Sequence, residues 1–399
     1  VNNREDKTPA AELNGRISAF QAQLTDNAVD AALILQRTDL YYYCGTIQQA
    51  HLYVPAQGDP ILMVYKSLER AAAESSLTQI VALTSPKQIM DILAQHGYAQ
   101  PAVLGLELDV LPTNLYFMYH QIFQKSRLVD VSQLIRLARA IKSPYELDLM
   151  QQAAAFSDQV AQSIPGLLRE GMTELELAGR VEAEARRLGH QGILRMRLWG
   201  AEMFYGHLMS GPSAAVPSYL PSPTGGPGVS PAIAQGPGFK PIRRNEPVLV
   251  DYVFAYKGYL SDHARIYSLG KLPAELTAGH AAMLEVQEMI KTLARPGVKS
   301  GEIYRQAIEQ TCKLGYEDYF MGADSRRVRF VGHGIGLELD EFPFLAEGQD
   351  LELKSGMTIA LEPKLVFPGK GVVGIENTHV VTENGLKQLS HFQEDIVVL

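Results

Sequence analysis

The chain has 399 residues, enough for two or more domains with substantial cores. Hydrophobic residues make up 46% and charged residues 20%, as in ordinary globular proteins. The net charge of −8 argues against a general nucleic-acid binder, and two cysteines, Cys44 and Cys312, leave no disulfide framework. Neither has a second Cys or a His at ligand spacing, so both read as small buried apolar residues.

At the N-terminus, VNNREDKTPAAEL lacks the apolar stretch of a secretory signal, and no run in the chain approaches the roughly 18 apolar residues of a membrane span. A cytoplasmic protein with no membrane or nucleic-acid partner is the expectation. Over residues 1–138, AALIL, HLYVP, PILMVY, IVALT, AVLGLEL and RLVDVS predict strands. ELNGRISAFQAQL, SLERAAAES, KQIMDILAQHG and TNLYFMYHQIFQ predict helices between them. The alternation predicts a small α/β domain with a mixed sheet. Tyr41-Tyr42-Tyr43 reads as a strand with packed rings rather than a cofactor platform.

A second domain, residues 139–399, opens at RAIKSPYEL. Ser143 caps a helix, Pro144 is its first residue, and Glu146 completes a capping box. That helix should run to about Ile164. Thr173 and Glu176 box a second helix, which ends at Leu188-Gly189. The same grammar returns 126 residues later, where LREGMTELELAGRVEAEARRLGH from Leu168 matches ARPGVKSGEIYRQAIEQTCKLGY from Ala294. At that offset Gly206-His207 falls on Gly332-His333, and Asp251 lands one residue from Glu376. Stereotyped caps explain part of the match. Its extension to the acids points to two related αβ halves facing each other across a shared site. Between them, residues 211–241 are rich in Pro, Gly and Ser and predict a long ordered loop, a kind of segment that is often functional. Its Gly225-Gly226-Pro227-Gly228 stretch is no phosphate cradle, since no strand feeds it and no P-loop lysine follows.

Two hairpins then carry acids. In VLVDYVFAYKGYLSDHARIYSL, a turn at Tyr256-Lys257 places Asp251 opposite Asp262. In IALEPKLVFPGKGVVGIENTHVV, a turn at Pro368-Gly369-Lys370 places Glu362 opposite Glu376. Opposed Cβ atoms lie roughly 4.5–5.5 Å apart, and like charges there are destabilising. Singly, each acid reads as solvated and His333 in VGHGIGL as a core histidine. Jointly they read as a metal site, because acids are depleted in strands. Four carboxylates and an imidazole are a hard donor set suited to Mn²⁺ or Co²⁺, with Zn²⁺ a further candidate. Their charge exceeds one divalent ion, so two are expected, roughly 3.5–4 Å apart and sharing a bridging water or hydroxide. Such a pair lowers the water's pKa and polarises a carbonyl, as peptide or amide hydrolysis requires.

These motifs make the chain similar to the pita-bread metallopeptidases: Xaa-Pro dipeptidases (prolidases), aminopeptidase P and, more distantly, methionine aminopeptidase. The resemblance runs nearly end to end. It is carried by RAIKSPYELDLMQQAA, GMTELELAGRVEAEARRLG, VDYVFAYKGYLSDHAR, GHGIGLELDEFP, MTIALEP and GIENTHVVTENG. It implies an α/β (α+β) fold, with a creatinase/prolidase-type N-terminal domain before a pita-bread domain of two pseudo-symmetric αβ halves. It further implies Asp251, Asp262, His333, Glu362 and Glu376 as metal ligands and Glu362 as general base. The implied partners are a short peptide substrate and a second copy in a homodimer, with the N-terminal domain shaping the cleft.

The outer shell departs from the family. The second His of its GxGxxxHExP motif is Asp340 here, followed by Glu341-Phe342-Pro343. The His that follows a Ser-Gly pair becomes Ser218 on alignment at Ser210-Gly211, and the Arg two residues before the last Glu ligand becomes Gly374. Losing such donors costs orders of magnitude in rate. His207 is the candidate to compensate, its plainer role being to pack under the following loop. His263 and His379 sit one and three residues from ligands and point to the opposite face. Trp199 and Phe204 read as core, and Tyr219 as a cleft residue. The leading expectation is a metal-dependent hydrolase of short Xaa-Pro peptides. The alternatives are an amidohydrolase whose Asp340 binds a non-peptide amine or guanidino group, and a catalytically silent peptide-binding homologue.

Overall fold

Six short strands alternate with helices through the first third of the chain. They are α1 (Ala10–Asp26), β1 (Ala31–Ile34), α2 (Arg37–Cys44), β2 (Ala50–Pro55), β3 (Ile61–Val64), α3 (Leu68–Glu74), β4 (Ile80–Ala82), α4 (Ile89–Gln95), β5 (Val103–Leu106), α5 (Thr113–Ile122), β6 (Arg127–Asp130) and α6 (Ser132–Ala140). The computed structural model describes residues 7–202, 205–323, 325 and 327–399. It divides into two units, Val1–Arg139 and Ala140–Leu399. The first unit holds one mixed sheet in the order β4-β3-β2-β1-β5-β6. β1–β2 and β2–β3 are antiparallel, the other pairs parallel. β1 and β3 are buried along their whole length, so they read as unbroken apolar runs.

The tyrosine run is helical, not a strand. The Gln36 side chain caps α2 by accepting from the Asp39 N–H, and Gly45 ends it with φ +74°. Caps on both sides outweigh the β-preference of three aromatic residues. Tyr43 packs on Phe20 with ring centroids 5.0 Å apart, and the Arg16 guanidinium lies 4.3 Å from the Tyr42 centroid.

His51 on β2 is 4% exposed, its Nε2 lies 2.5 Å from the Tyr119 hydroxyl, and burial pushes its pKa down to about 4. A folded pKa below the unfolded value of about 6.5 means the neutral ring is favoured by folding. Its contribution is therefore complete above pH ~6.5 and lost as pH falls toward 4. Hydrogen exchange of β2 amides, corrected for intrinsic rates, should accelerate over that fall in the wild type and less in His51→Phe. Equal acceleration in both would clear His51 of the effect.

The second unit begins with α7 (Pro144–Leu167) and α8 (Glu174–Arg187), both opened by the expected capping boxes. α7 runs three residues past Ile164 and contains Pro165. The missing N–H of Pro165 leaves the Ala161 carbonyl without its helical donor, and the Tyr267 hydroxyl donates to it at 2.9 Å. Then follow β7 (Gly206–Ser210), β8 (Val248–Tyr252), β9 (Phe254–Tyr256), β10 (Tyr259–Ser261), β11 (Ala264–Ser268), α9 (Ala274–Leu293) and α10 (Ser300–Lys313). The remaining strands are β12 (Phe330–Gly334), β13 (Glu341–Ala346), β14 (Thr358–Leu361), β15 (Lys364–Phe367), β16 (Gly371–Gly374), β17 (Asn377–Thr382), β18 (Gly385–Gln388) and β19 (Val397–Val398). They form sheets β19-β11-β8-β7 and β13-β12-β14-β17-β18, plus ribbons β9/β10 and β15/β16. Cys312 on α10 is exposed, unlike Cys44, so the expectation of two buried thiols fails for it.

The two halves repeat, but not with one offset throughout. α8 and α10 are both 14 residues long and start 126 positions apart. The acids correspond differently. Asp251 on β8 matches Glu362 after β14, and Asp262 before β11 matches Glu376 before β17. Those offsets are 111 and 114, because the 211–241 loop lengthens the first half alone. The near-coincidence of Asp251 with Glu376 at 126 is thus not the structural correspondence.

The loop itself is ordered and pinned. The buried Glu174 carboxylate accepts from the Ser210 N–H at 2.8 Å, the Ser210 hydroxyl at 2.9 Å, the Ser213 hydroxyl and the Gly238 N–H at 3.2 Å, joining both ends of the loop to the start of α8. Inside it, the Gly236 N–H donates to the Gly225 carbonyl at 2.7 Å. Gly228 has φ +62°, and a Cβ there would collide with the Ile233 carbonyl, so this glycine is required.

Candidate metal centre

All five expected ligands lie in the second unit, and four of the five come from places where a strand passes from a main sheet to a ribbon. Asp251 is on β8 just before β9, Asp262 lies between β10 and β11, Glu362 between β14 and β15, and Glu376 between β16 and β17; His333 is on β12. Pro363 marks one such break, since it has no N–H to give to a ladder. The second hairpin has the expected register, with Leu361 opposite Asn377 and Lys364 opposite Gly374 on either side of the Glu362–Glu376 pair. The first is shifted. Its turn is Lys257-Gly258, both with positive φ, so Asp251 pairs with Ala264 and is diagonal to Asp262. A tight hairpin turn with positive φ at both central residues favours Gly258 over Tyr256. The parity is unchanged, so both acids still share a face.

Side-chain donor atoms of Asp262, His333 and Glu376 lie within 4.8 Å of one another, close enough for one ion to bond all three. The remaining acids surround a lysine. The Lys364 ammonium, 1% exposed, donates to Asp251 Oδ2 at 3.0 Å, Glu362 Oε2 at 2.8 Å and Glu376 Oε2 at 2.6 Å. No sequence argument singled it out, yet a signal was present. It follows Glu362 by two residues on a strand, which puts it on the same face as Glu362. The Lys364 ammonium thus fills the space among Asp251, Glu362 and Glu376.

Burial and like charge dominate the electrostatics. Burial and then the neighbouring Asp251 push the Asp262 carboxyl up to about 7. Burial, with Asp262 next, raises Glu376 well above the usual carboxylate range. Burial works against the charged form of Lys364, but Asp251, Glu362 and Glu376 outweigh it and hold its pKa well above the ordinary value. Burial lowers His333, and Asp340, Glu362 and Asp262 more than offset it. Asp251, Asp262, His333, Asp340, Glu362 and Glu376 line a cavity of about 520 Å³.

The C-terminal unit matches the model of metallopeptidase family M24 over residues 148–383, and residues 16–141 match the creatinase/prolidase N-terminal domain. The chain belongs to metallopeptidase family M24. Among the relatives of this M24 chain, an Xaa-Pro dipeptidase of Pyrococcus furiosus is 27% identical over 388 residues, covering 96% of this chain and 99% of that one. A probable dipeptidase of Mycobacterium tuberculosis is 26% identical and covers 98% and 97%. A dipeptidase structure from Pyrococcus horikoshii superposes with TM-score 0.78 at 28% identity, covering 96% and 100%. An Xaa-Pro dipeptidase from Bacillus anthracis, at 22% identity and TM-score 0.82 over 97% and 100%, shares the fold.

Around the floor, the M24 chain places its other predicted residues unevenly. Asp340 lines the cavity, with Oδ1 3.8 Å from His333 Nδ1. His207 lines it too, but both ring nitrogens are engaged by the loop: Nδ1 lies 2.6 Å from the Thr224 hydroxyl and Nε2 2.8 Å from the Gln235 amide nitrogen. Burial lowers its pKa to about 4, so the ring is neutral. Ser218 does not line this cavity; its hydroxyl donates to Gln235 Oε1 at 2.9 Å and so belongs to the same loop network. Trp199 is no core residue, being 98% exposed at the cavity mouth with Tyr219 nearby in the wall. Phe204 lies outside the described residues. His263 and His379 are buried away from the cavity.

Three supports also escaped the sequence reading. The Thr378 hydroxyl accepts from the Asp262 N–H at 2.9 Å and donates to the Asp262 carbonyl at 3.0 Å, fixing the backbone at Asp262. Arg265 is fully buried and donates to the Glu376 carbonyl at 3.0 Å and to Asn377 Oδ1 at 2.8 Å. The buried Lys142 pairs with Glu341 at 2.7 Å, and Glu341 Oε1 accepts from the Leu337 and Glu338 N–H groups. That pair braces the turn leading from His333 to Asp340. Thr378 and Glu341 lie two and one residues from site positions, whereas Arg265 and Lys142 act through contacts far apart in sequence.

Proposed function

We propose that this chain is a divalent-metal-dependent hydrolase of short peptides, with Xaa-Pro peptides as its substrate class. The convergence of Asp251, Asp262, His333, Glu362 and Glu376 on the floor of one cavity carries the reading. The full-length likeness to Xaa-Pro dipeptidases supports the substrate class. The oxygen-rich donors favour Mn²⁺ or Co²⁺. When bound, the metal acts as a Lewis acid that activates water and polarises the scissile carbonyl.

The chain's residues do the rest. Glu362 has one oxygen held by Lys364 and the other, Oε1, 3.7 Å from His333 Nε2. That oxygen takes the proton of the attacking water and returns it to the amine as the C–N bond breaks. Phe330, Leu339, Val253 and Leu198 in the wall suit an apolar ring such as proline's. His207 holds the 211–241 loop over the cavity and moves no proton, since both its nitrogens are engaged.

The test is to strip the protein with a chelator, reload it with Mn²⁺ or Co²⁺, and offer a mixed peptide library read by mass spectrometry. Metal-dependent release of the residue before proline is the expected result. Bound metal with every peptide intact would sink the peptidase reading. It would favour the second one, in which Asp340, a carboxylate in the cavity wall, seats an amine or guanidino group. A protein that binds no metal at saturation would be a binding homologue and neither enzyme. Asp340 also gives a graded prediction. Asp340→His restores a hydrogen-bond donor beside the reacting carbonyl and should raise kcat/KM on Xaa-Pro dipeptides by about tenfold or more. An unchanged or lower value would show that Asp340 does not stand in the donor's place.

A further inference from the structure

We propose that this centre holds one divalent ion, not two, and that the Lys364 ammonium stands where a second ion would sit. The inference rests on the metal-binding part of the reading above, but not on any substrate. Geometry divides the five donors into two overlapping groups. Asp262, His333 and Glu376 can reach a common ion. Asp251, Glu362 and Glu376 instead converge on Lys364 Nζ at 3.0, 2.8 and 2.6 Å. Glu376 belongs to both groups, as the shared ligand of two adjacent cations would.

The lysine is built into this place. Its side chain is 1% exposed and it sits on β15 directly opposite Gly374 on β16. Gly374 has φ +150°, and a Cβ there would lie 2.7 Å from the Lys364 Cα and would meet the Pro363 carbonyl. The backbones at this point are too close for a side chain on residue 374. The only cation this strand pair can aim at the acids therefore comes from residue 364. The charges agree. Four carboxylates bring four negative charges, and one divalent ion with one ammonium returns three. A second divalent ion would have to displace the ammonium, since oxygens at hydrogen-bond distance from Nζ leave no room for metal bonds of about 2.0–2.2 Å in the same space. Asp251 is accordingly a partner of Lys364 and not a metal ligand.

Metal content tests this without reference to turnover. Chelator-stripped protein is titrated with Mn²⁺ by calorimetry, and tightly held metal is counted by elemental analysis after desalting. The wild type should bind one ion per chain and show the six-line paramagnetic resonance signal of an isolated Mn²⁺. Lys364→Ala should bind two, with the spectrum of a coupled pair. Asp251→Asn keeps the fold's volume and should still bind one ion. Two ions in the wild type, falling to one in Asp251→Asn, would overturn the proposal even if Lys364→Ala failed to fold. No ion in any form would instead defeat the metal-hydrolase reading itself.

Discussion

Asp262→Ala should abolish metal binding and reduce peptide hydrolysis by at least roughly a thousandfold, because it removes one of three side chains, Asp262, His333 and Glu376, whose donor atoms can reach a common ion. The variant should nonetheless fold. Asp262 is buried, its carboxyl is pushed up to about 7 by burial and Asp251, and its backbone N–H and carbonyl are held by Thr378, while its side chain accepts from the His263 N–H at 3.0 Å. Removing it relieves like-charge crowding and keeps the Thr378 bonds, which offsets the lost acceptor of the His263 N–H. Thermal melting with and without Mn²⁺ separates the two effects. An ion present at 100 times its dissociation constant stabilises the native state by about 2.7 kcal/mol. The wild type should show that gain in Tm and Asp262→Ala should not, while their metal-free Tm values stay close. A full metal-induced gain in the variant would remove Asp262 from the ligand set.

The second large effect is expected from Glu362→Gln. The amide keeps the side chain's size and can still accept from Lys364, but it cannot take a proton from water. Loss of a general base typically costs a factor of about 10² to 10⁴. So kcat on an Xaa-Pro dipeptide should drop by that much, with one ion per chain retained and KM little changed. The last two measurements matter as much as the first. If bound metal falls in step with kcat, Glu362 is a ligand and the base lies elsewhere. If kcat is unchanged, it is neither.

Much of this arrangement was readable from the chain alone, for definite physical reasons. Capping boxes at Ser143/Glu146 and Thr173/Glu176 are local, so they located two helices to within a few residues. The period-2 geometry of strands placed the paired acids on common faces even where the turn was misassigned by one residue, because parity survives such a shift. What failed depended on context. The tyrosines at 41–43 had β-forming side chains but helix-forming neighbours. Trp199 looked like core by size, yet it stands at a cavity mouth. Lys364 is hidden in the sequence for another reason: a lysine beside acids reads as an ordinary surface ion pair. Only the fold shows it buried, opposite a glycine that leaves it room. The offset of 126 gave the helical repeat correctly and the acid repeat incorrectly, since a loop in one half breaks the count between them.

Peptide hydrolysis by this chain should depend on metal held at this site. The most direct test is the rate of cleavage of one Xaa-Pro dipeptide by the same protein sample before chelation, after chelation and after Mn²⁺ is restored. The expected result is loss of at least roughly a hundredfold on chelation and full recovery with Mn²⁺, in wild type and not in Asp262→Ala. Hydrolysis that persists undiminished in the stripped protein would contradict it.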